Sequence, residues 1–167
     1  SRRVAELEKD GTIAGYRATL PLAYQSVLDR YELRDAAIKV VGIGSVGTKC
    51  AIALMMSVAN DPLFLQFKEA RKSVLERYAG KNPYPHYGQR VVMGQRLMQP
   101  ATDVFLGWIT STHGLHGYVR QLRDAKIKPL VETFDAEMLK VFGQACGWVL
   151  ARAHAKAGSP IRISGYL

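Results

Sequence analysis

The segment Val40-Val41-Gly42-Ile43-Gly44-Ser45-Val46-Gly47-Thr48-Lys49 decides between two folds for this chain. Its glycines recur at the spacing G-x-G-x-x-G, directly after a β-branched run. This spacing lets the backbone turn tightly and brings its N–H groups close to phosphate oxygens. In dinucleotide-binding βαβ units a helix follows the glycines, whereas in kinase-like folds a second antiparallel strand follows and the loop folds over ATP. The structure of residues 48–57 therefore distinguishes the two folds.

Residues 48–57 carry two overlapping patterns. Alternating apolar residues favour a strand, and a run of small and unbranched residues equally suits a helix. The strand pattern consists of Cys50, Ile52, Leu54 and Met56, and the helix pattern of Ala51, Ala53, Leu54 and Met55. The sequence leaves both architectures open at this point.

The remaining segments mix helical and strand patterns in an order typical of an α+β protein. Residues 1–15 form a polar lead-in, and Pro21 fits the first turn of a helix. The predicted elements are a helix over 18–33, a strand over 36–43, a turn at 60–62, a strand over 63–68, helical turns at 73–78, a helix over 86–99, strands over 103–111 and 117–122 that pair as a hairpin, and a helix over 134–157, capped by Asp135 or Thr133 and ended by Gly158 and Pro160. We therefore expect an α+β fold: a five-stranded, mainly antiparallel sheet with a covering helix and a long C-terminal helix.

This order of elements divides the chain into three expected parts. They are an N-terminal helical lead-in over residues 1–35, a lobe with the glycine-rich loop over residues 36–124, and a linker with the long helix over residues 125–167. A strand, a glycine loop, two strands, a helix, two strands, a linker and a helix follow one another in a kinase small lobe that continues into the first helix of a large lobe.

The two interpretations of the loop give different roles to Lys68 and Glu69. In a dinucleotide-binding unit, Glu69 lies about twenty positions beyond the loop, where a carboxylate binds the ribose. In a kinase-like lobe, Lys68 lies in the strand whose lysine pairs with phosphates, a role that suits a compact cation on a flexible stem. The late hairpin lacks the intervening helix that a doubly wound sheet requires. The pattern alone still leaves both interpretations open.

Composition narrows the class of protein. Hydrophobic residues make up 48% of the chain and its formal charge is +9, which predicts a core and an anionic ligand or partner. The basic residues fall into two separated groups, 68–81 and 120–128, without an uninterrupted basic helix face, which disfavours nucleic acid. The sequence contains no apolar run of about 18 residues, so it predicts no membrane span. Cys50 and Cys146 lack metal-type spacing, which predicts two free buried thiols and a cytoplasmic protein.

The remaining side chains with chemical potential are predicted to be mostly structural. Arg120 and Arg123 are candidate anion-binding residues, although ion pairs with Asp124 and Glu132 are favoured. Loop positions without metal-ligand spacing are predicted for His86, His113 and His116. His154 is predicted to have a core or capping role. Trp108 and Trp148 are predicted to lie in the core.

Several blocks of this sequence, in the same order, resemble the bacterial domain of unknown function 2252. The resemblance covers about residues 36–158 and is more specific than the glycines alone. The matching blocks are Val40-Val41-Gly42-Ile43-Gly44-Ser45-Val46-Gly47-Thr48-Lys49-Cys50, Leu63-Phe64-Leu65-Gln66-Phe67-Lys68-Glu69-Ala70, Gly88-Gln89-Arg90-Val91-Val92 with Gly94-Gln95-Arg96-Leu97-Met98-Gln99, Tyr118-Val119-Arg120-Gln121-Leu122-Arg123-Asp124, and Cys146-Gly147-Trp148-Val149-Leu150-Ala151-Arg152-Ala153-His154-Ala155.

The resemblance implies a fold related to the kinase-like phosphotransferases. Members of the family are longer and carry acidic motifs of the forms GDxHxxN and NDFDE before the glycine loop, and neither motif occurs in this chain. The resemblance therefore implies the later part of a family member, which holds the nucleotide-covering lobe without the metal and base residues. The family position that matches Met93 is commonly glutamate, which could pair with Lys68. Met93 cannot do so, and Glu69 or Glu76 would have to stand in.

We therefore expect the nucleotide-binding lobe of an ATP-dependent phosphotransferase. Its phosphate site would consist of Gly42, Gly44, Ser45, Gly47 and Lys68. Carboxylates outside this chain would hold Mg²⁺, so the chain alone is expected to have no catalytic residue, no metal ligand and no activity. The acceptor substrate is not specified, and the sequence leaves open whether the full-length protein is an enzyme.

Two alternatives remain, and both change the expected partners. One is a non-catalytic, degenerate kinase-like module for protein contact, and the other is a fragment of an NAD-linked oxidoreductase. In the kinase-like case the partners are a nucleotide, an unknown acceptor and the missing segment of the full-length protein. Core surface that this segment would cover favours self-association when it is exposed.

Overall fold

Helices and strands succeed one another in an α+β order in a computed structural model that describes residues 11–39, 47–111, 113–123 and 129–166. The elements are α1 (Thr12–Ala18), α2 (Leu22–Leu28), β1 (Tyr31–Ile38), β2 (Cys50–Ser57), β3 (Pro62–Glu69), α3 (Glu76–Ala79), α4 (Tyr87–Met98), β4 (Gly107–Thr110), β5 (His116–Gln121), a 3₁₀ turn (Val131–Thr133), α5 (Ala136–Ala157) and α6 (Pro160–Tyr166). The five-stranded sheet and the long C-terminal helix confirm the expected fold class.

The five strands form one sheet in the order β1-β2-β3-β5-β4, and every neighbouring pair is antiparallel. Strands β1 and β2 flank the glycine loop and pair directly, with Ile38 opposite Ala51. The Lys39 N–H donates to the Cys50 carbonyl oxygen at 2.9 Å, so the chain reverses direction between these two residues. Residues 50–57 form a strand, which is not the helix that the dinucleotide-binding interpretation requires.

One face of the sheet packs against α1 and α2 to form the core. Alternate residues of each strand face this layer because side chains of a strand point to opposite sides in turn. The buried cluster consists of Tyr16, Leu20, Leu28, Leu33, Met55, Leu63, Leu65, Phe105 and Val119. Burying apolar area of this kind is the dominant stabilising contribution to the fold.

Strand β2 is apolar on both faces, which explains its ambiguous pattern. Ala51, Ala53 and Met55 point to the core face, and the half-buried Ile52 and Leu54 point to the opposite face. A strand with two apolar faces loses the contrast between alternate positions on which recognition from sequence depends. Residues 50–57 form a strand because they pair with β1 and β3.

Helix α1 is fixed to the edge strand β4 by side chains that satisfy backbone groups. The Thr19 hydroxyl accepts the Trp108 N–H at 3.0 Å and donates to the Tyr16 carbonyl oxygen at 2.7 Å. The Tyr16 hydroxyl donates to the Phe105 carbonyl oxygen at 2.6 Å. These contacts cover part of an edge that would otherwise be open to another strand.

The predicted helix over 18–33 is wrong in extent. The chain forms two short helices there, because Pro21 is extended (ψ 143°) and has no N–H to continue a helix that began before it. Tyr31 already belongs to β1, where it lies opposite Ser57. The strand predicted over 36–43 thus begins earlier, at Tyr31, and its last residues lie outside the described residues.

Later boundaries follow the prediction more closely. Helix α5 begins after Asp135, whose Oδ1 accepts the Met138 N–H at 2.8 Å, which confirms one of the two proposed caps. Strand β4 is shorter than expected, because Asp103 Oδ1 accepts the Phe105 N–H at 2.8 Å and holds a turn before it. Pro160 opens α6 instead of ending the helical region, since proline fits a first helical turn.

The described residues fall into two compact units, the first within residues 1–93 and 103–123 and the second within residues 94–102 and 124–167. In the second unit, the Lys156 ammonium donates to the carbonyl oxygens of Arg96 (3.1 Å) and Gln99 (2.7 Å). Trp148 is 61% exposed and His154 is exposed as well, so the core prediction for Trp148 is wrong.

Both cysteines are free, as predicted, but only Cys50 is buried, and the exposed Cys146 corrects the expectation of two buried thiols. Across the described ranges, no helix combines the length and apolar character needed to cross a membrane.

A candidate site at the exit of the glycine loop

Two of the predicted phosphate-binding residues, Gly47 and Lys68, lie within the described residues. Gly42, Gly44 and Ser45 lie outside them. Gly47 has a φ of 75°, in the left-handed region that glycine adopts without a steric penalty. This conformation turns the chain into β2, so the third glycine of the motif is required by the backbone of the loop exit.

A hydrogen-bonded cluster joins the end of β3 to this loop exit, and we call it the loop clamp: Gly47, Lys49, Glu69 and Arg71. The Lys49 N–H donates to Glu69 Oε2 at 2.8 Å. The Arg71 Nε donates to Glu69 Oε1 at 2.6 Å, and the Arg71 Nη2 donates to the Gly47 carbonyl oxygen. The side chain of Glu69 is only 7% exposed and that of Arg71 is 60% exposed. The clamp therefore fixes where the loop ends.

Within the loop clamp, the charges of Glu69 and Arg71 neutralise each other. The Arg71 guanidinium and, after it, the Lys49 N–H hold the pKa of Glu69 below its usual range. The Glu69 carboxylate in turn raises the pKa of Arg71. The Glu69 carboxylate is ionised at neutral pH, and both of its oxygens accept hydrogen bonds within the chain. Glu69 thus acts as a link between β3 and the loop.

Lys68 lies at the end of β3, next to the clamp and on the face opposite the core. It lies opposite Cys50 on β2 and opposite Tyr118 on β5. Within the described residues, neither proposed substitute for the missing acidic partner forms an ion pair with Lys68: Glu69 bonds Arg71 and Glu76 lies 4.0 Å from Lys72. Lys68 thus contributes a half-buried cation beside the loop exit.

A buried polar group accompanies Lys68 on the same face. Gln66 is 3% exposed; its amide donates to Cys50 Sγ at 3.7 Å, and its Oε1 accepts from Arg120 Nε and Nη2, both at 3.3 Å. Burial raises the pKa of Tyr118, which keeps its hydroxyl neutral. Gln66 and Tyr118 carry no sequence signal of a role at this site, and only the strand register with Lys68 reveals them.

Of the two candidate anion-binding arginines, Arg120 donates hydrogen bonds to Gln66 on β3. The expected partner Asp124 lies outside the described residues. Arg123 is exposed. The strand register places Arg120 on the same face of the sheet as Lys68.

Two histidines stack at the start of α4 and cap it. The rings of His86 and His116 lie 3.9 Å apart at an interplanar angle of 16°. His86 Nδ1 accepts the Gln89 N–H and His116 Nδ1 accepts the Tyr87 N–H, each at 3.1 Å. The histidines thereby satisfy N–H groups of the first helical turn that have no partner inside the helix.

The Thr110 hydroxyl lies 3.1 Å from His86 Nε2. Because His86 Nδ1 accepts a hydrogen bond, the proton of the neutral ring is on Nε2, and the ring donates to Thr110. A general base needs the opposite tautomer. No cluster of three or more metal-ligating side chains occurs in the residues that the structure describes.

Helix α4 begins close to β5 and contacts the chain beside the loop clamp. A Cβ on Gly88 would lie 1.9 Å from the Gly117 carbonyl oxygen, so only glycine permits this approach. The Arg90 Nη2 donates to the Arg71 carbonyl oxygen at 2.8 Å. Met93 lies further along the same helix and is half-buried. The helix thus reaches the clamp through an arginine.

Comparison with known proteins identifies a family. A model of the domain of unknown function 2252 family, described as an uncharacterized protein conserved in bacteria, matches residues 4–167. The chain therefore belongs to this bacterial family. No curated protein and no solved structure matches it.

Proposed function

We propose that this member of the bacterial family binds the phosphates of an ATP-type nucleotide beneath its glycine loop, in a kinase-like lobe. The observation that carries the proposal is the antiparallel pairing of β1 with β2, which makes the glycine segment the connection of a hairpin. The loop clamp adds support, because it anchors the exit of this connection beside Lys68.

The backbone amides of residues 43–48 would hold the phosphates, with Gly42, Gly44, Ser45 and Gly47 permitting their close approach. The Lys68 ammonium would neutralise phosphate charge, since hydrogen bonds between ionised groups are roughly twice as strong as neutral ones. Arg71 is already paired with Glu69, so Lys68 is better available to the ligand than Arg71 is.

Phosphoryl transfer would need groups from beyond this chain. We propose that the chain corresponds to the later part of a longer kinase-like protein, in which carboxylates of another segment hold Mg²⁺ and orient an acceptor. The chain alone is then expected to bind nucleotide without transferring phosphate.

The alternative is a non-catalytic kinase-like module that contacts another protein. Met93 favours it, because this helix position offers Lys68 no carboxylate. In a kinase, the corresponding lysine–glutamate pair must be in place for activity. Nucleotide binding separates the two functions.

Titration of ATP–Mg²⁺ by calorimetry tests the proposal on the wild-type chain, Lys68→Ala and a control, Lys72→Ala. Lys72 is a matched control because it is a lysine four residues after Lys68. Its side chain is 67% exposed, and its ammonium lies 4.0 Å from the Glu76 carboxylate. We expect Lys68→Ala to weaken binding about tenfold or more, the equivalent of one charge-assisted hydrogen bond, and Lys72→Ala to change it less than about twofold. Absence of binding by the wild-type chain would support the module instead, and equal losses in both variants would indicate non-specific attraction.

A further inference from the structure

A partly open cavity of about 210 Å³ lies between α1, α2 and the core face of the sheet. The cavity and Lys68 are on opposite faces of the sheet, so a ligand in the cavity would be independent of the proposed nucleotide site. Its sheet side includes Ala51, Ala53 and Phe67, and its helical side includes Ile13.

Small side chains at adjacent register positions create this space. Ala36 on β1 lies opposite Ala53 on β2, and Ala51 lies opposite Phe67 on β3. The larger residues of β2, Ile52 and Leu54, alternate toward the other face. Because protein interiors normally pack as densely as organic crystals, a space of this size beside small side chains has room for an additional group.

The lining of the cavity selects a neutral, apolar occupant. No charged side chain is among the described residues that line it. The Tyr16 hydroxyl is committed to the Phe105 carbonyl oxygen, and burial raises its pKa, so it stays neutral. Ser111 Oγ accepts the Leu115 N–H at 3.1 Å and keeps its own hydrogen for an acceptor. Apolar cavities of about 150 Å³ stay dry and bind molecules such as benzene.

We propose that this cavity is a binding site for a small, uncharged and largely apolar molecule, of about the size of one substituted aromatic ring. The ring would lie against Ala51, Ala53 and Met55, and a single polar substituent would meet the Ser111 hydroxyl. The three alanines, Ala36 included, are then specificity-determining residues, because a larger side chain at any of them would occupy the volume of the ring.

Binding of fluorobenzene to the full chain tests this site by ¹⁹F NMR, with ¹³C-methyl-labelled methionines as reporters of position. Met55 lines the cavity, whereas Met138 is 52% exposed on α5. We expect saturable binding that shifts the Met55 methyl signal and leaves that of Met138 in place. Ala53→Leu should weaken binding at least tenfold, and Ala37→Leu, an exposed change on the opposite face of β1, should alter it less than twofold.

Ala51→Val is the second variant and serves if Ala53→Leu does not fold. Valine suits a strand and adds less volume than leucine. Ala51→Val should also weaken binding. Thermal unfolding provides an independent measurement, since a side chain that fills an empty space leaves the melting temperature equal or higher. Three results would overturn the proposal: no saturable binding by the wild-type chain, binding that neither cavity variant weakens, or a shift confined to Met138.

Discussion

Glu69 connects two segments that lie 20 residues apart in the sequence, because its carboxylate accepts the Lys49 N–H as well as the Arg71 guanidinium. Its side chain is 7% exposed, whereas the Arg71 side chain that it binds is 60% exposed. Hydrogen bonds to charged groups contribute about 1.5–3 kcal/mol, whereas an exposed ion pair contributes about 0–1 kcal/mol. At the residue scale, Glu69 is therefore the side chain on which the geometry of the loop exit depends most.

We expect Glu69→Gln to lower the free energy of unfolding by about 1–2 kcal/mol at pH 7. Glutamine keeps the shape and one acceptor oxygen, but its amide N–H group would face the Arg71 guanidinium, a second donor. Urea denaturation followed by circular dichroism measures the difference. Glu32→Gln is the control, because Glu32 pairs with Arg34 at 3.1 Å with both side chains more than half exposed, and it should leave stability unchanged.

The pH dependence of this effect has a defined sign. The pKa of Glu69 is lower in the folded chain than in the unfolded one, where it is about 4.3. The stabilisation is thus present above about pH 4.3 and is lost as the pH falls through the lower folded-state pKa. The wild type and Glu69→Gln should converge in stability below that range. A constant difference from pH 7 to about pH 3 would mean that the carboxylate charge is not the cause.

At the scale of elements, helix α4 has an N-terminus that depends on neutral histidines. The His86 and His116 rings accept N–H groups of its first turn, and a protonated imidazole has no acceptor nitrogen left. Protonation would also place positive charge at the positive end of the helix dipole. Protonation of His86 would therefore weaken the start of α4.

We expect stability to fall by about 1 kcal/mol between pH 7.5 and pH 5.5, the typical contribution of a helix cap. Burial, and then the neighbouring His116, lower the pKa of His86 in the folded chain. The unfolded chain, with a histidine pKa of about 6.5, takes up the proton first, so stability is lost as the pH falls below that value. Denaturant titrations at the two pH values measure the loss.

Two variants separate this cap from other titrating groups. His86→Asn replaces the imidazole with a side chain that caps helices and does not titrate, so it should lose less stability on acidification. His113→Asn changes an exposed histidine in the turn between β4 and β5 and should behave as the wild type. An equal acid loss in the wild type and His86→Asn would show that the cap is not the sensitive group.

The same elements show how far sequence patterns reach. Helices α4 and α5 and the hairpin of β4 with β5 follow from periodicity and turn residues, because each depends on local sequence. The helix predicted over residues 18–33 was wrong, because apolar residues at helical spacing continue across Pro21 and into β1. In β1, pairing with β2 overrides helix propensity. Boundaries that depend on partners elsewhere in the chain are not encoded locally.

Across the whole molecule, the α+β order was predictable, whereas side-chain partners within the candidate site were not. Lys68 was identified by its place after the glycines. The bond between Glu69 and Lys49 and the contact of Gln66 with Arg120 depend on strand register, which becomes visible only when the sheet is assembled. The contacts of Gly42, Gly44 and Ser45 remain predictions, because these residues lie outside those that the structure describes.

The formal charge of +9 is also a property of the whole molecule, and it produces attraction to any polyanion. We expect weak binding of a short DNA duplex at about 50 mM salt that is independent of base sequence. Its affinity should fall about 100-fold or more by about 200 mM salt, because each neutralised phosphate releases a counterion. Fluorescence anisotropy across a salt series measures this slope.

The same variants that test the nucleotide site distinguish general attraction from a specific site. Removing one positive charge should reduce DNA binding only slightly in both Lys68→Ala and Lys72→Ala, because non-specific attraction is spread over many basic side chains. ATP binding should instead distinguish the two variants, since only Lys68 lies beside the loop exit on the sheet. Absent or salt-insensitive DNA binding would show that charge does not drive it. DNA binding that Lys68→Ala alone removes would instead assign Lys68 to a nucleic-acid surface and not to a nucleotide site.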